Sequence, residues 1–338
     1  MNRSQSTNLV RSLAIMGAVI LLSFLHAGCD GANAATEDHE PINIAATTGM
    51  IGDIVRNVAG DRAKVTVIMG SGTDPHLYRP TRRDMSALLG ADVAFYHGLN
   101  LEGRMGEALD WVRGAGRPVY AVAERIDSDH LLDEEEEEVG EGELPVPDPH
   151  LWMDPRRWAL IVDGVAEHLA SLDPSGEETY RANAAAYRES LDALHEYARE
   201  AVASIPADRR VLVTAHDAFA YFAERYDIEV LAIQGISTES EAGLRRIEEI
   251  VRTVVERQIP AVFTETSVPD RNVLALVEGA RARGHDVRIG GELFSDAMGE
   301  EGTYEGTYLG MIDHNVTTIV RALGGEAPER GFQNKLNP

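Results

Sequence analysis

Three histidines of this chain stand in settings suited to gripping a metal ion. His76 lies in SGTDPHLYRPT (71–81), His150 in PDPHLWMDP (147–155) and His216 in VLVTAHDAFAYF (211–222). The tripeptide Asp-Pro-His thus occurs twice, and proline before each histidine fixes φ, removes a donor and aims the side chain that follows. Two carboxylates compete to join them: Asp296, in the glycine-rich segment GGELFSDAMG (290–299), and Glu265, at the end of an apolar run. Imidazole and carboxylate donors suit divalent transition metals such as zinc and manganese. The other histidines read as bland. His168 and His195 sit in helical segments among polar neighbours, His39 in a polar stretch and His285 in a Gly-His-Asp turn, while His130 borders an acidic run and is at most an accessory ligand.

The elements that must carry these side chains alternate in type. Strand-like runs are expected at Ile42–Thr47, Val65–Met69, Val93–Tyr96 and Pro118–Val122, with helices such as Ile51–Ala59 and Arg82–Leu89 between them. Alternation of this kind builds parallel βαβ units. From Pro174 to Ser204 the chain is rich in Ala, Glu, Arg and Leu, which predicts a helix of about 30 residues and roughly 45 Å, long enough to join two lobes. Beyond it, strands are expected at Arg210–Thr214, Val230–Ala232, Ala261–Thr264 and Val287–Ile289, and helices at Glu241–Arg257, Arg271–Arg283 and Ile312–Leu323. His76 and His216 then fall beyond the carboxyl ends of strands, where open α/β sheets bind ligands. The expected fold is α/β: two similar lobes, each a mostly parallel sheet flanked by helices, joined by one long rigid helix. The lobes would span 42–172 and 206–325, with a linking helix at 173–205 and a polar tail at 326–338.

Charge and composition narrow the function. Asp and Glu number 56 against 31 Lys and Arg, a formal charge of −25 in 338 residues, so nucleic acid is excluded as a partner. Within an acidic loop at 127–146, Asp133 to Glu143 holds eight acids and two glycines. That segment should be solvated, either as a weak cation collector or as a plain spacer. A single cysteine rules out a disulfide framework and a Cys-based zinc knuckle. Arg3 and Arg11 precede an apolar run, Leu13 to Leu25, and small residues ending at Cys29, which reads as an export signal over 1–28 and a tether over 29–41. Leu-His-Ala-Gly-Cys places Cys29 where a lipoprotein signal is cleaved and lipidated, while Ala32-Asn33-Ala34 offers an ordinary cleavage site instead. Either route puts the protein outside the cytoplasm, in the periplasm or anchored on the outer side of the cytoplasmic membrane.

The chain resembles the zinc- and manganese-binding solute receptors of bacterial ABC transporters. DPHLYRPT, DPHLWMDP, TAHDAFAYFAERY, QGISTESEAG (234–243), and FSDAMG followed by EGTYLGMIDHN (305–315) carry the resemblance, which covers essentially 42–323. It implies one metal ion in a cleft between lobes, held by His76 and His150 from one side and His216 and Asp296 from the other. It also implies a membrane permease as partner, a monomeric receptor and no catalytic residues. His97 departs from the family, standing where asparagine is common, and the loop before His150 is acidic where zinc-specific members are often rich in histidine. The implied set of three imidazoles and a carboxylate suits Zn(II) at ~2.0–2.2 Å per bond, and His216 in place of a carboxylate favours zinc over manganese. Asp74, Asp148 and Asp217 are the sequence-adjacent acceptors that would fix the imidazole tautomers.

Four protein ligands leave no open position for substrate water. A zinc metallohydrolase would need Glu265 as base and Asp296 unbound, and the chain has neither H-E-x-x-H nor a nucleophile elbow. A surface adhesin is the other alternative. Because ligating histidines must be neutral, metal affinity is expected to fall as pH drops toward and below ~6.5.

Overall fold

The computed structural model describes residues 40–133, 147–240 and 242–337. The export signal, Cys29, His39, nearly all of the tether and the acid-rich stretch 134–146 lie outside the described residues. The fold begins with β1 (Ile42–Ala46), β2 (Ala63–Val67), β3 (Val93–Tyr96) and β4 (Val119–Ala121). They form one parallel sheet in the order β2-β1-β3-β4, so successive crossovers run to opposite sides of β1. The order reverses between β1 and β3, and the carboxyl ends of these strands open the crevice that such a reversal creates.

Helices α1 (Gly49–Ala59), α2 (Arg82–Gly90) and α3 (Gly106–Gly114) cover this sheet. Local chemistry sets where they start. Thr81 and Asp84 form a reciprocal capping box at the start of α2, which satisfies donors that a helix start leaves open. Asp154 accepts from the Arg156 backbone N–H at 2.9 Å and Pro155 occupies the first turn of α4 (Pro155–Leu172). Directly after the Pro174–Gly176 turn comes α5 (Glu177–Ala203), whose 27 residues at ~1.5 Å each make a rod of about 40 Å. Gly176 at its start is pressed against Arg62, where a Cβ would stand 2.5 Å from the guanidinium Nε. Tyr180, Ala184, Tyr187, Leu191, Leu194, Ala198 and Val202 form its buried stripe. It rests on α1 and α4 on one side and on α9 (Tyr308–Leu323) on the other. One hydrophobic cluster runs through both halves, and Pro41–Pro338 forms a single compact unit.

The second half pairs β5 (Val211–Thr214) with β6 (Glu229–Ala232), and β7 (Ala261–Glu265) with β8 (Arg288–Leu293), all parallel. Helices α6 (Ala220–Tyr226), α7 (Leu244–Glu256) and α8 (Arg271–Ala282) pack around them. Strand β8 continues through Gly290 and Gly291, past the end expected at Ile289. The glycines are there for packing: a Cβ at Gly290 would lie 2.7 Å from Phe263 and 2.8 Å from the Ala322 methyl group of α9. His168 and His195 are buried, His168 lying 3.8 Å, centroid to centroid, from Tyr120 and His195 stacking on Tyr226.

The polar C-terminal stretch folds back onto α9. Asp313, fully buried, accepts from Tyr304 Oη at 2.9 Å and the Phe332 backbone N–H at 2.8 Å, and Leu336 is buried. Asp313→Ala would strand those donors and is expected to lower stability by about 2–4 kcal/mol. Urea unfolding should show the lower midpoint while zinc affinity stays as in the parent chain.

Candidate metal centre

His76 follows β2 in the turn that its Asp-Pro creates. Asp74 Oδ1 accepts from the His76 backbone N–H at 2.9 Å, so Asp74 fixes the turn and not the ring. Its other oxygen accepts from Thr238 Oγ1 at 2.6 Å, reaching across from the second half. Asp148 does hold an imidazole: its Oδ1 meets both the His150 backbone N–H at 2.9 Å and Nδ1 at 2.7 Å. Behind His216 stands Glu265. Its Oε1 accepts from the Ala215 and His216 backbone N–H groups at 2.7 and 3.0 Å, and Oε2 meets His216 Nδ1 at 2.5 Å. Glu265 therefore bridges β5 and β7 and orients the histidine at the end of β5. Asp217 donates its own backbone N–H to the Gly235 carbonyl.

Asp296 lies three residues past β8. Its Oδ2 accepts from Ser267 Oγ at 3.2 Å, and Ser267 in turn meets Ser295 Oγ at 2.9 Å. Trp152, two residues after His150, donates its indole N–H to the Ser295 carbonyl at 2.8 Å and accepts at its own carbonyl from Tyr308 Oη at 2.7 Å. The turn carrying His150 and the loop carrying Asp296 are thereby tied together across the two halves. Sequence reasoning missed Trp152, and its place beside the second Asp-Pro-His was the available signal.

These supports bring His76, His150, His216 and Asp296 together, with one donor atom from each lying within 4.8 Å of all the others. Nε2 of His76 and of His150 are 3.3 Å apart, and Asp296 Oδ1 lies 3.4 Å from His150 Nε2 and 3.3 Å from His216 Nε2. A tetrahedron of ~2.0–2.1 Å zinc bonds has edges of about 3.3 Å. All four residues are buried, and among the described residues neither His216 Nε2 nor Asp296 Oδ1 has a hydrogen-bond partner. Orphaned buried polar atoms are costly unless something joins them. A dication at the centre of the four would satisfy both. His130 is not among the gathered residues. It lines a separate groove with His168, and its carbonyl accepts from Arg157 Nε at 2.8 Å. His97 lies fully buried beneath the site, edge-on to Trp152 and flat along Trp158.

Electrostatics point the same way. Burial holds His76 neutral, its pKa pushed down to about 3. Burial also opposes charge on His150, but the Asp148 and Asp296 carboxylates outweigh it and lift that pKa to about 9. His216 is raised well above the ordinary histidine value, since Asp296 and Glu265 overcome its desolvation. Asp296 is held well below the usual carboxylate range because His216 and His150 outweigh its own burial. The pocket thus demands positive charge, and protons supply it when no metal does. Glu265→Gln should keep the shape of the site but give up the charge behind His216, weakening zinc binding about 10–100-fold. Competition titration would check this, and an unchanged affinity would contradict the role given to Glu265.

The chain matches the family model for the periplasmic component A of the zinc-uptake complex over residues 44–322. It is 43% identical over 309 residues to the manganese-binding lipoprotein MntA of Bacillus subtilis, covering 91% of this chain and 98% of that protein. It is 44% identical over 309 residues to the zinc-binding protein TroA of Treponema pallidum, covering 91% and 96%. The solved structure of the periplasmic zinc binding protein TroA from Treponema pallidum superposes with a TM-score of 0.78 at 45% identity, covering 84% of this chain and 99% of that one. Fe(III)-bound YtgA from Chlamydia trachomatis gives 0.73 at 27% identity, covering 85% and 100%.

Proposed function

The chain belongs to the periplasmic zinc-uptake component A family, and on that premise we propose that it captures one divalent transition-metal ion outside the cytoplasm and delivers it to an ABC permease for import. His76, His150, His216 and Asp296 are the ligands, and zinc is the favoured cargo, with manganese the other candidate. The observation that carries this reading is the convergence of four buried donors within 4.8 Å of one another, three of the pairs at the 3.3–3.4 Å of a zinc tetrahedron's edge. Three imidazoles among the four donors suit zinc, whereas manganese prefers more oxygen ligands. Relatives named for zinc and for manganese lie at almost equal identity, so the donor set and not kinship supports zinc.

A closed coordination sphere leaves nothing to polarise a substrate, which fits carriage and not catalysis. Among the described residues no helix is long and apolar enough to cross a membrane. Attachment is assigned to a lipid on Cys29 after cleavage of 1–28, with a monomer carrying the ion. The N-terminal lobe is 42–172 and the C-terminal lobe 206–325. Because the buried α5 spine packs against helices of both lobes, release involves limited rocking and not a wide hinge swing.

Calorimetric competition on metal-stripped protein should give one zinc per chain, bound more tightly than manganese. Failure to bind either ion would overturn the reading. Tighter binding of manganese would overturn the choice of cargo alone.

A further inference from the structure

The four donors differ in how they are held and in what covers them. His150 and His216 each have Nδ1 tied to a carboxylate, and Asp296 is held by Ser267. For His76, no hydrogen bond to Nδ1 is found among the described residues, although its Nε2 faces His150. His76 lines an adjoining cavity of about 250 Å³, which Pro147 and Pro149 also border. Leu99, Asn100 and Gly103 form one wall of that cavity, and Ile236, Ser237 and Glu239 the other. At ~30 Å³ per water it has room for about eight, enough for a dication with its hydration shell.

The first wall is rigid. Gly98, Leu99 and Asn100 all take positive φ, at 86°, 50° and 60°, which costs energy at the two residues that are not glycine. Buried Glu102 holds the turn in place by accepting from the His97 and Gly98 backbone N–H groups and from Thr47 Oγ1. The second wall is latched to the first half through Arg104 to Glu239 at 3.0 Å and Thr238 Oγ1 to Asp74 Oδ2 at 2.6 Å. Asp74 is the residue that fixes the backbone turn of His76. Displacing the 236–239 wall therefore loosens the turn that carries the least anchored ligand.

We propose that this cavity is the portal through which the ion enters and leaves, with His76 the ligand that closes on it last and releases it first. The proposal rests on the receptor reading above and adds the route. Any agent that pulls the 236–239 segment away from Asp74 and Arg104 opens the centre at His76, while His150, His216 and Asp296 stay in their cradles.

The test is exchange kinetics with free zinc ion and a fluorescent chelator. Ser237→Trp places bulk at the cavity wall, and Ser237→Cys capped with a bulky, thiol-reversible reagent does so after folding. Parent chain treated with the same reagent controls for Cys29. Ser71→Trp serves as the comparison, since Ser71 lines a different opening between the halves, beside Gly49 and Met298, that contains none of the four ligands. Both Ser237 forms should slow association and dissociation together by about tenfold or more, leaving Kd within about twofold, with recovery when the cap is removed. Ser71→Trp should exchange at the parent rate. Unchanged rates in both Ser237 forms, slowing by Ser71→Trp instead, or a weakened Kd at an unchanged association rate would each overturn the portal. A parent chain that binds no zinc would overturn the receptor reading itself, which is a separate result.

Discussion

His216→Ala is expected to weaken zinc binding by about a hundred- to a thousandfold. Four-ligand structural zinc sites bind with apparent free energies of about 10–16 kcal/mol, so one lost bond removes roughly 3–4 kcal/mol. The loss is compounded here because His216 is flanked by Glu265 and Asp296 and has no exposure through which water could stand in. His130→Ala, in a groove apart from the centre, should leave affinity within about twofold. Competition titration of both variants, with circular dichroism to show that each is folded, checks the pair. Equal losses would mean that the ligands are misassigned.

Acidification is expected to weaken binding from well above the pH at which free histidine titrates. Metal-bound imidazoles must be neutral, whereas in the metal-free pocket His150 keeps its proton up to about pH 9 and His216 beyond the ordinary histidine range. His76, pushed down to about 3, is already neutral and contributes no proton. Binding at pH 7 therefore displaces up to two protons. Affinity should fall by about tenfold for each pH unit descended below about 9 through His150 alone, more steeply where His216 is protonated too, and not only below the ~6.5 of a free imidazole. Calorimetry in buffers of different ionisation enthalpy at pH 7 should count between one and two protons released per zinc. An affinity independent of pH between 5 and 7.5 would contradict histidine ligation.

The parts of this site legible in the sequence were those written in contiguous residues. Two Asp-Pro-His turns and a histidine at a strand end stand out because proline and strand-end rules act over a few positions, and Asp148 reaches the His150 ring from two residues away. Long-range partners did not stand out. Asp217, adjacent in sequence, looked like the natural support for His216, yet Glu265 takes that place because parallel neighbouring strands set their ends side by side. Asp74 looked like a support for the His76 ring and instead holds its backbone, its other oxygen being taken by Thr238 from the second half. Gly290 and Gly291 suggested a loop, but they lie within β8, where the close approach of Phe263 and α9 excludes a side chain at Gly290. The alternating βαβ pattern and the long helix were readable because each depends on local periodicity. The packing of that helix as a spine beneath both halves depends on contacts far apart in the chain.

The central claim is most directly tested by locating the ion. Crystals of zinc-loaded protein, measured on both sides of the zinc absorption edge, should show one anomalous peak at ~2.0–2.2 Å from Nε2 of His76, His150 and His216 and from a carboxylate oxygen of Asp296. A peak elsewhere, or one whose shell omits two or more of these four side chains, would contradict it.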